Sequence, residues 1–282
     1  MNRFHAILTS LAVLAGLAIV AGPSLAQQKE ISRFARFQVG DTVAYGLVQG
    51  DRIRQIRGDL FGQWQPTDTV HKLADIKLLV PTSPSKVLAL AGNYKSHLQD
   101  KPAPEHPELF FKSPSCLIAQ GENVVIPKGA TDVHYEAEMV LVMGQRARNV
   151  PVAEALDYVF GVTCGNDISE RVWQANDVQW TRAKGSDTFG PCGPFIVRGL
   201  DYGDLLLQMR VNGQVKQKQR TGDLVHGAAQ IVSWASQFIT LEPGDLIYTG
   251  TPGSTTPIQA GDVLEVELEH VGILTNGVVA EQ

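Results

Sequence analysis

The segment Val133-His134-Tyr135-Glu136-Ala137-Glu138-Met139-Val140-Leu141-Val142 constrains this chain more than any other. Its second half is an apolar run that reads as a buried strand closing at Gly144. Side chains alternate along a strand, so Glu136 and Glu138 point to the same face. Two neighbouring carboxylates repel each other, and covering them removes the hydration that supports their charge. The pattern leaves two readings open. Either the face is solvated and the glutamates stand in water, or a cation compensates the pair. An oxygen-only cluster selects a hard ion, Mg²⁺ or Ca²⁺, with Mn²⁺ also accommodated.

Asn166-Asp167-Ile168-Ser169-Glu170-Arg171-Val172-Trp173-Gln174 is predicted to open a helix after a strand-like stretch. On that helix Asp167, Arg171 and Gln174 stand at i, i+4 and i+7 and share one face. An acid, a guanidinium and an amide so aligned suit a metal ligand beside a group that grips a carboxylate through two parallel hydrogen bonds. A surface Asp–Arg pair is the plainer reading. Arg182-Ala183-Lys184-Gly185-Ser186-Asp187 is polar and turn-rich, and Lys184 is either solvated or a holder of negative charge. Gly250-Thr251-Pro252-Gly253 follows a strand, as a plain turn or as a loop whose N–H groups and Thr251 hydroxyl bind a carboxylate. In Asn93-Tyr94-Lys95-Ser96-His97-Leu98-Gln99-Asp100, with Asn93 as a helix cap, His97 and Asp100 fall three residues apart. An inert surface pair and an acid-oriented general base both fit that spacing.

The formal charge of −5 leaves no basic excess for neutralising phosphates, which argues against nucleic acid as a partner. Arg3 and His5, an apolar run from Ala6 to Val20 and small residues up to Ala26 predict a secretory leader over residues 1–26. Cleavage after Ala26 gives an exported, periplasmic or secreted chain starting at Gln27. No later stretch is apolar enough to cross a bilayer, so no membrane association is expected after cleavage. Cys116, Cys164 and Cys192 are too few and too scattered for a disulfide framework and read as small buried hydrophobes.

The remaining pattern predicts an α+β, β-dominated fold. RFARF, VAYGLV and RIRQI, with a Gln49-Gly50-Asp51 turn, form a small β domain over residues 27–80. Pro81-Thr82-Ser83-Pro84 opens a larger domain over residues 81–282. In it, Asn212-Gly213 predicts a tight hairpin, residues 152–159 a short helix and residues 224–238 an amphipathic helix with Val225, Ala228, Ala229, Val232, Ala235 and Phe238 on one face.

Five segments, GNYKSH, YEAEMVLVMG, NDISERVWQ, RAKGSDTFGPCGP and PGDLIYTGTPG, occur in an order that resembles the fumarylacetoacetate hydrolase family. The resemblance covers nearly the whole chain after the leader. It implies a mixed β-roll behind a small β domain, assembled as a homodimer. It implies Glu136, Glu138 and Asp167 as ligands of Mg²⁺ (Mn²⁺ or Ca²⁺ as substitutes), Arg171, Gln174 and Thr251 as substrate contacts, and Lys184, His97 and Asp100 as catalytic groups. The implied substrates are small 2-oxo acids, taken through an enolate to C–C hydrolysis, isomerisation or decarboxylation. A 2-oxo acid binding protein without turnover would use the same pocket. Three features depart from the family: Asp100 where relatives often carry Glu, Cys164-Gly165 before the NDIS motif, and the leader itself.

Overall fold

The protein is described by a computed structural model over residues 30–282. The expected leader lies outside the described residues. Strands Ser32–Val39, Thr42–Gln49, Arg52–Gly58 and Trp64–Lys72 form an antiparallel meander in chain order. The meander does not stand apart. Its first strand pairs with Gly190–Arg198, for example Phe34 with Ile196, and so continues the main sheet. From there the sheet runs through Val159–Asn166, Ala137–Met143, Leu246–Tyr248, Val87–Ala91 and Glu108–Lys112.

A second sheet orders Gln214–Arg220, Leu206–Val211, Val263–Leu268, Gly272–Ala280 and Val124–Ile126. Its hairpin at Asn212-Gly213 has φ of 52° and 76°, the left-handed pair that a tight two-residue turn between twisted strands requires. β structure dominates, as the sequence predicts. Strand Ala137–Met143 is covered on both faces, which accounts for its unbroken apolar run. Met139, Leu141 and Met143 join the core shared with Leu207, Met209 and Val266 of the second sheet, whereas Val140 and Val142 pack towards Phe34, Phe160 and Tyr248.

The amphipathic helix is shorter than predicted, Ala228–Phe238, with Val225 before it. Its buried stripe is Ala228, Ile231, Val232 and Ala235, with Ala229 packed against it, continued by Ile239 rather than by Phe238. Phe238 is 63% exposed and lies edge-on to Trp234. The short helix predicted at 152–159 is a 3₁₀ segment, Val152–Tyr158. No described helix is long and apolar enough to cross a membrane.

Candidate active site

The predicted strand through Glu136 and Glu138 is broken. Val133–His134 pairs with Ser169–Glu170, and the main strand starts only at Ala137. The two acids still converge, because the neighbouring strand fixes them. Glu138 lies opposite Gly165 and Ala137 opposite Asn166, so one step further out Glu136 faces Asp167. The Asp167 N–H donates to Glu136 O at 2.8 Å, and the Glu136 N–H to Asn166 Oδ1 at 2.8 Å. Opposed residues of an antiparallel pair share a face, so Glu136, Glu138 and Asp167 gather on one side. Gly165 occupies the remaining position on that face. A Cβ there would lie 2.4 Å from Val140 Cγ2 and 2.6 Å from Tyr248 Cε1, which is the physical reason for glycine at 165.

Asp167 is therefore not on the helix, which corrects the i, i+4, i+7 alignment. The helix is Arg171–Asn176, because Glu170 caps it by accepting the Trp173 N–H at 2.5 Å. A second oxygen of Glu170 accepts the N–H groups of Thr131 and Asp132 at 3.0 Å. Arg171 and Gln174 remain neighbours, one turn apart, with Nη1 donating to Gln174 Oε1 at 2.8 Å. Lys184 belongs to a short helix, Thr181–Gly185.

The three carboxylates are buried, at 4%, 0% and 0% exposure for Glu136, Glu138 and Asp167, with ligand oxygens within 4.8 Å of one another. Lys184 Nζ bridges Glu136 Oε2 and Asp167 Oδ2 at 2.8 Å each. Arg171 Nη2 meets Glu136 Oε1 at 2.6 Å. A third cation, Lys112, is fully buried and donates to Asp167 Oδ1 at 2.6 Å, to Phe189 O at 3.2 Å and to Lys184 O. Four carboxylate oxygens thus have cationic partners. Glu138 has none: its Oε2 accepts the Gly250 N–H at 2.6 Å, and its Oε1 has no partner. Gly250 (φ 102°) reaches that position because it lacks a Cβ, which would fall 2.8 Å from Asn93 Cβ.

The charges follow from this arrangement. Burial favours the neutral form of Glu136, but Lys184, Arg171 and His97 outweigh it and hold its carboxyl at about 2. Burial, reinforced by Asp167 and Glu136, pushes Glu138 well above the usual carboxylate range. Burial opposes the Lys112 charge, and Asp167 reverses that effect and raises it. A buried acid with an unpartnered oxygen, beside two more acids, fits a hard divalent cation held by Glu136, Glu138 and Asp167. Such a cation would displace the Glu138 proton. Its apparent affinity is expected to rise as pH climbs above the usual carboxylate range, with proton uptake by the buffer on binding. Titration calorimetry in buffers of different ionisation enthalpy measures this; an affinity that ignores pH would contradict it.

Glu136, with Glu138 and Asp167 buried beside it, lines a cavity of roughly 670 Å³ whose wall also includes His97, Arg171, Gln174, Lys184 and Thr251. His97 is reached by a four-residue helix, Lys95–Leu98, that ends where Gln99 turns to φ 55°. This early end separates the expected dyad. Asp100 is exposed, and among the described residues it makes no hydrogen bond or ion pair with His97. The His97 partner is the Gly253 carbonyl, 2.6 Å from Nδ1. A carbonyl only accepts, so Nδ1 carries a proton, and in the neutral ring Nε2 keeps a free lone pair. Asn93 does not cap that helix; it is tied to His226 N and O and to Thr249 O. The Thr251 hydroxyl donates to Ala137 O at 2.9 Å and accepts from Gln217 Nε2 at 2.8 Å, so its proton is committed to the strand.

Lys112, Glu170 and Gln217 are functional neighbours that sequence reasoning missed. Lys112 carries the one available signal, a lysine ending the apolar strand Glu108–Lys112. Gln217, on a strand otherwise largely exposed, carries none.

Residues 86–279 match the family described as Fumarylacetoacetate (FAA) hydrolase C-terminal, and residues 32–81 match Rv2993c-like, N-terminal. Protein Rv2993c of Mycobacterium tuberculosis is 40% identical over 259 residues, covering 88% of this chain and 98% of its own. The crystal structure of a 2-hydroxyhepta-2,4-diene-1,7-dioate isomerase from Mycobacterium marinum superposes with a TM-score of 0.84 at 39% identity, covering 89% of this chain and 99% of its own. A maleylpyruvate hydrolase from Sphingobium sp. SYK-6, solved in complex with manganese(II) ion and pyruvate, gives 0.73 at 29% identity, covering 89% of this chain and all of its own.

Proposed function

This chain belongs to the fumarylacetoacetate hydrolase family, and from that membership and the site geometry we propose that it is a divalent-metal-dependent enzyme acting on small 2-oxo acids through their enolate form. The observation that carries the reading is Glu138, a buried acid without a cationic partner inside a three-carboxylate cluster whose Glu136 lines a basic pocket.

A divalent cation held by Glu136, Glu138 and Asp167 supplies a Lewis acid that favours negative charge on the carbonyl oxygen of a 2-oxo acid. The chain's own groups supply the rest. Arg171, braced by Gln174, offers N–H groups to a substrate carboxylate. Lys184 adds positive charge at the inner wall, its ammonium 5.4 Å from the Phe110 ring centroid, and Phe110 with Trp180 forms an apolar side. His97 Nε2 takes a proton from water or from substrate carbon. Water activation favours C–C hydrolysis of acylpyruvate-like substrates, and proton transfer at carbon favours isomerisation of 2-hydroxy-diene diacids. Export behind the leader and assembly as a pair belong to the same proposal.

The test is a panel of acylpyruvates, oxaloacetate and 2-hydroxy-diene diacids, each assayed with and without chelator. His97→Ala is expected to lower C–C hydrolysis by about 10²–10⁴-fold while Mn²⁺ and oxalate binding persist. Hydrolysis at the unaltered rate would remove His97 from the mechanism. A panel with no chelator-sensitive turnover would refute the functional reading.

A further inference from the structure

A second hydrogen-bonded chain reaches the pocket from behind Arg171. The Arg171 Nη2 donates to Thr255 Oγ1 at 2.8 Å. Thr255 Oγ1 lies 2.8 Å from His134 Nδ1, and His134 Nε2 lies 2.9 Å from Asp132 Oδ1. The proton positions follow from valence. A guanidinium only donates, so at Arg171 the hydroxyl oxygen accepts. With the imidazole neutral and its proton on Nε2, the Thr255 proton is directed to the lone pair of Nδ1. The imidazole proton sits on Nε2 and is donated to the Asp132 carboxylate. Donation then runs one way, from the Arg171 guanidinium through Thr255 and His134 to the Asp132 carboxylate.

These contacts are not needed to hold the loop. His134 and Pro257 already form a backbone bridge, Ile258 N–H donates to Val133 O at 2.8 Å, and the Tyr135 hydroxyl meets Thr256 Oγ1 at 3.1 Å. Thr255 is half-buried and lines the same cavity as Arg171 and Glu136. Nη2 has two protons and two partners, Thr255 and Glu136. When Glu136 gives its charge to a cation, the Thr255 hydroxyl is the hold that remains on this end of the guanidinium.

We propose that Thr255, its hydroxyl oriented by His134 and Asp132, is a positioning residue that fixes the Arg171 guanidinium for the substrate carboxylate and so sets affinity for 2-oxo acids. The inference rests on the function proposed above and adds the residues that set the anion contact.

The experiment loads the full chain with Mn²⁺, follows metal binding by electron paramagnetic resonance, and titrates oxalate, a planar dianion with the O–C–C–O arrangement of an enolised 2-oxo acid. Unaltered protein is compared with Thr255→Val, Thr255→Ser, His134→Ala and His134→Asn, the last keeping an acceptor where Nδ1 stood. Thr255→Val and His134→Ala are expected to weaken oxalate by about tenfold with Mn²⁺ affinity unchanged, the loss of one hydrogen bond to a charged group. Thr255→Ser and His134→Asn are expected to stay within about threefold of the unaltered protein. In turnover, the first two variants raise KM and leave kcat within about threefold, the mark of lost uniform binding. Oxalate affinity unchanged in Thr255→Val overturns the proposal. Loss of Mn²⁺ binding and oxalate together in the first two variants also overturns it, because the chain would then be a structural pin. Failure of the unaltered protein to bind Mn²⁺ sinks the functional reading itself and this inference with it.

Discussion

Chelation with EDTA is expected to stop turnover of acylpyruvates and oxaloacetate, and Glu138→Gln is expected to do the same with metal in excess. Glutamine keeps the volume of the side chain but brings a neutral amide to the unpartnered position of Glu138 Oε1. In the protein alone Lys112, Lys184 and Arg171 face Asp167 and Glu136, one positive charge in excess, while Glu138 itself touches no cation. Only an ionised Glu138 adds the charge that draws a second positive centre into a site already holding Lys184. A cation that contributes several kcal/mol of charge stabilisation in the transition state corresponds to a loss of about a thousandfold or more in kcat/KM. Absorbance of the enol form follows the reaction, and Mn²⁺ resonance follows binding. Activity restored to chelated unaltered protein by Mg²⁺ or Mn²⁺, but not to Glu138→Gln, is the expected pattern. Chelated protein that works at its former rate would end the three-carboxylate reading.

Lys112→Met should produce the largest loss of stability. The Lys112 and Asp167 side chains are both 0% exposed, and the ammonium also satisfies the carbonyls of Lys184 and Phe189. Methionine fills most of the space but leaves a buried carboxylate oxygen and two carbonyls without that donor. Removing one partner of a buried pair costs about 3–5 kcal/mol, chiefly because the remaining charge is stranded. Chemical denaturation in EDTA measures it. Added Mg²⁺ is expected to return part of the loss, since a cation at the acids gives Asp167 a new partner. Lys86→Met is the control: Lys86 is partly exposed, and its Asp245 keeps the N–H groups of Ser85, Lys86 and Glu242. A midpoint for Lys112→Met equal to that of the unaltered protein would show that Asp167 needs no buried counter-charge.

What the sequence determined is what depends on local periodicity. Period-2 alternation put Glu136 and Glu138 on one face even though the strand breaks between His134 and Ala137. The Asn212-Gly213 pair required its turn, and the apolar run from Met139 required burial. Tertiary structure decided everything set by chain segments far apart. Asp167 joins the glutamates through cross-strand register, not along a helix, because opposed residues share a face whatever their separation in the chain. Lys112 reaches Asp167 across 55 residues and Gln217 reaches Thr251 across 34, and no local pattern encodes such meetings. The His97–Asp100 pairing failed for the converse reason. Three residues make neighbours only while a helix lasts; this one ends at Leu98, and a carbonyl 156 residues away orients the imidazole instead.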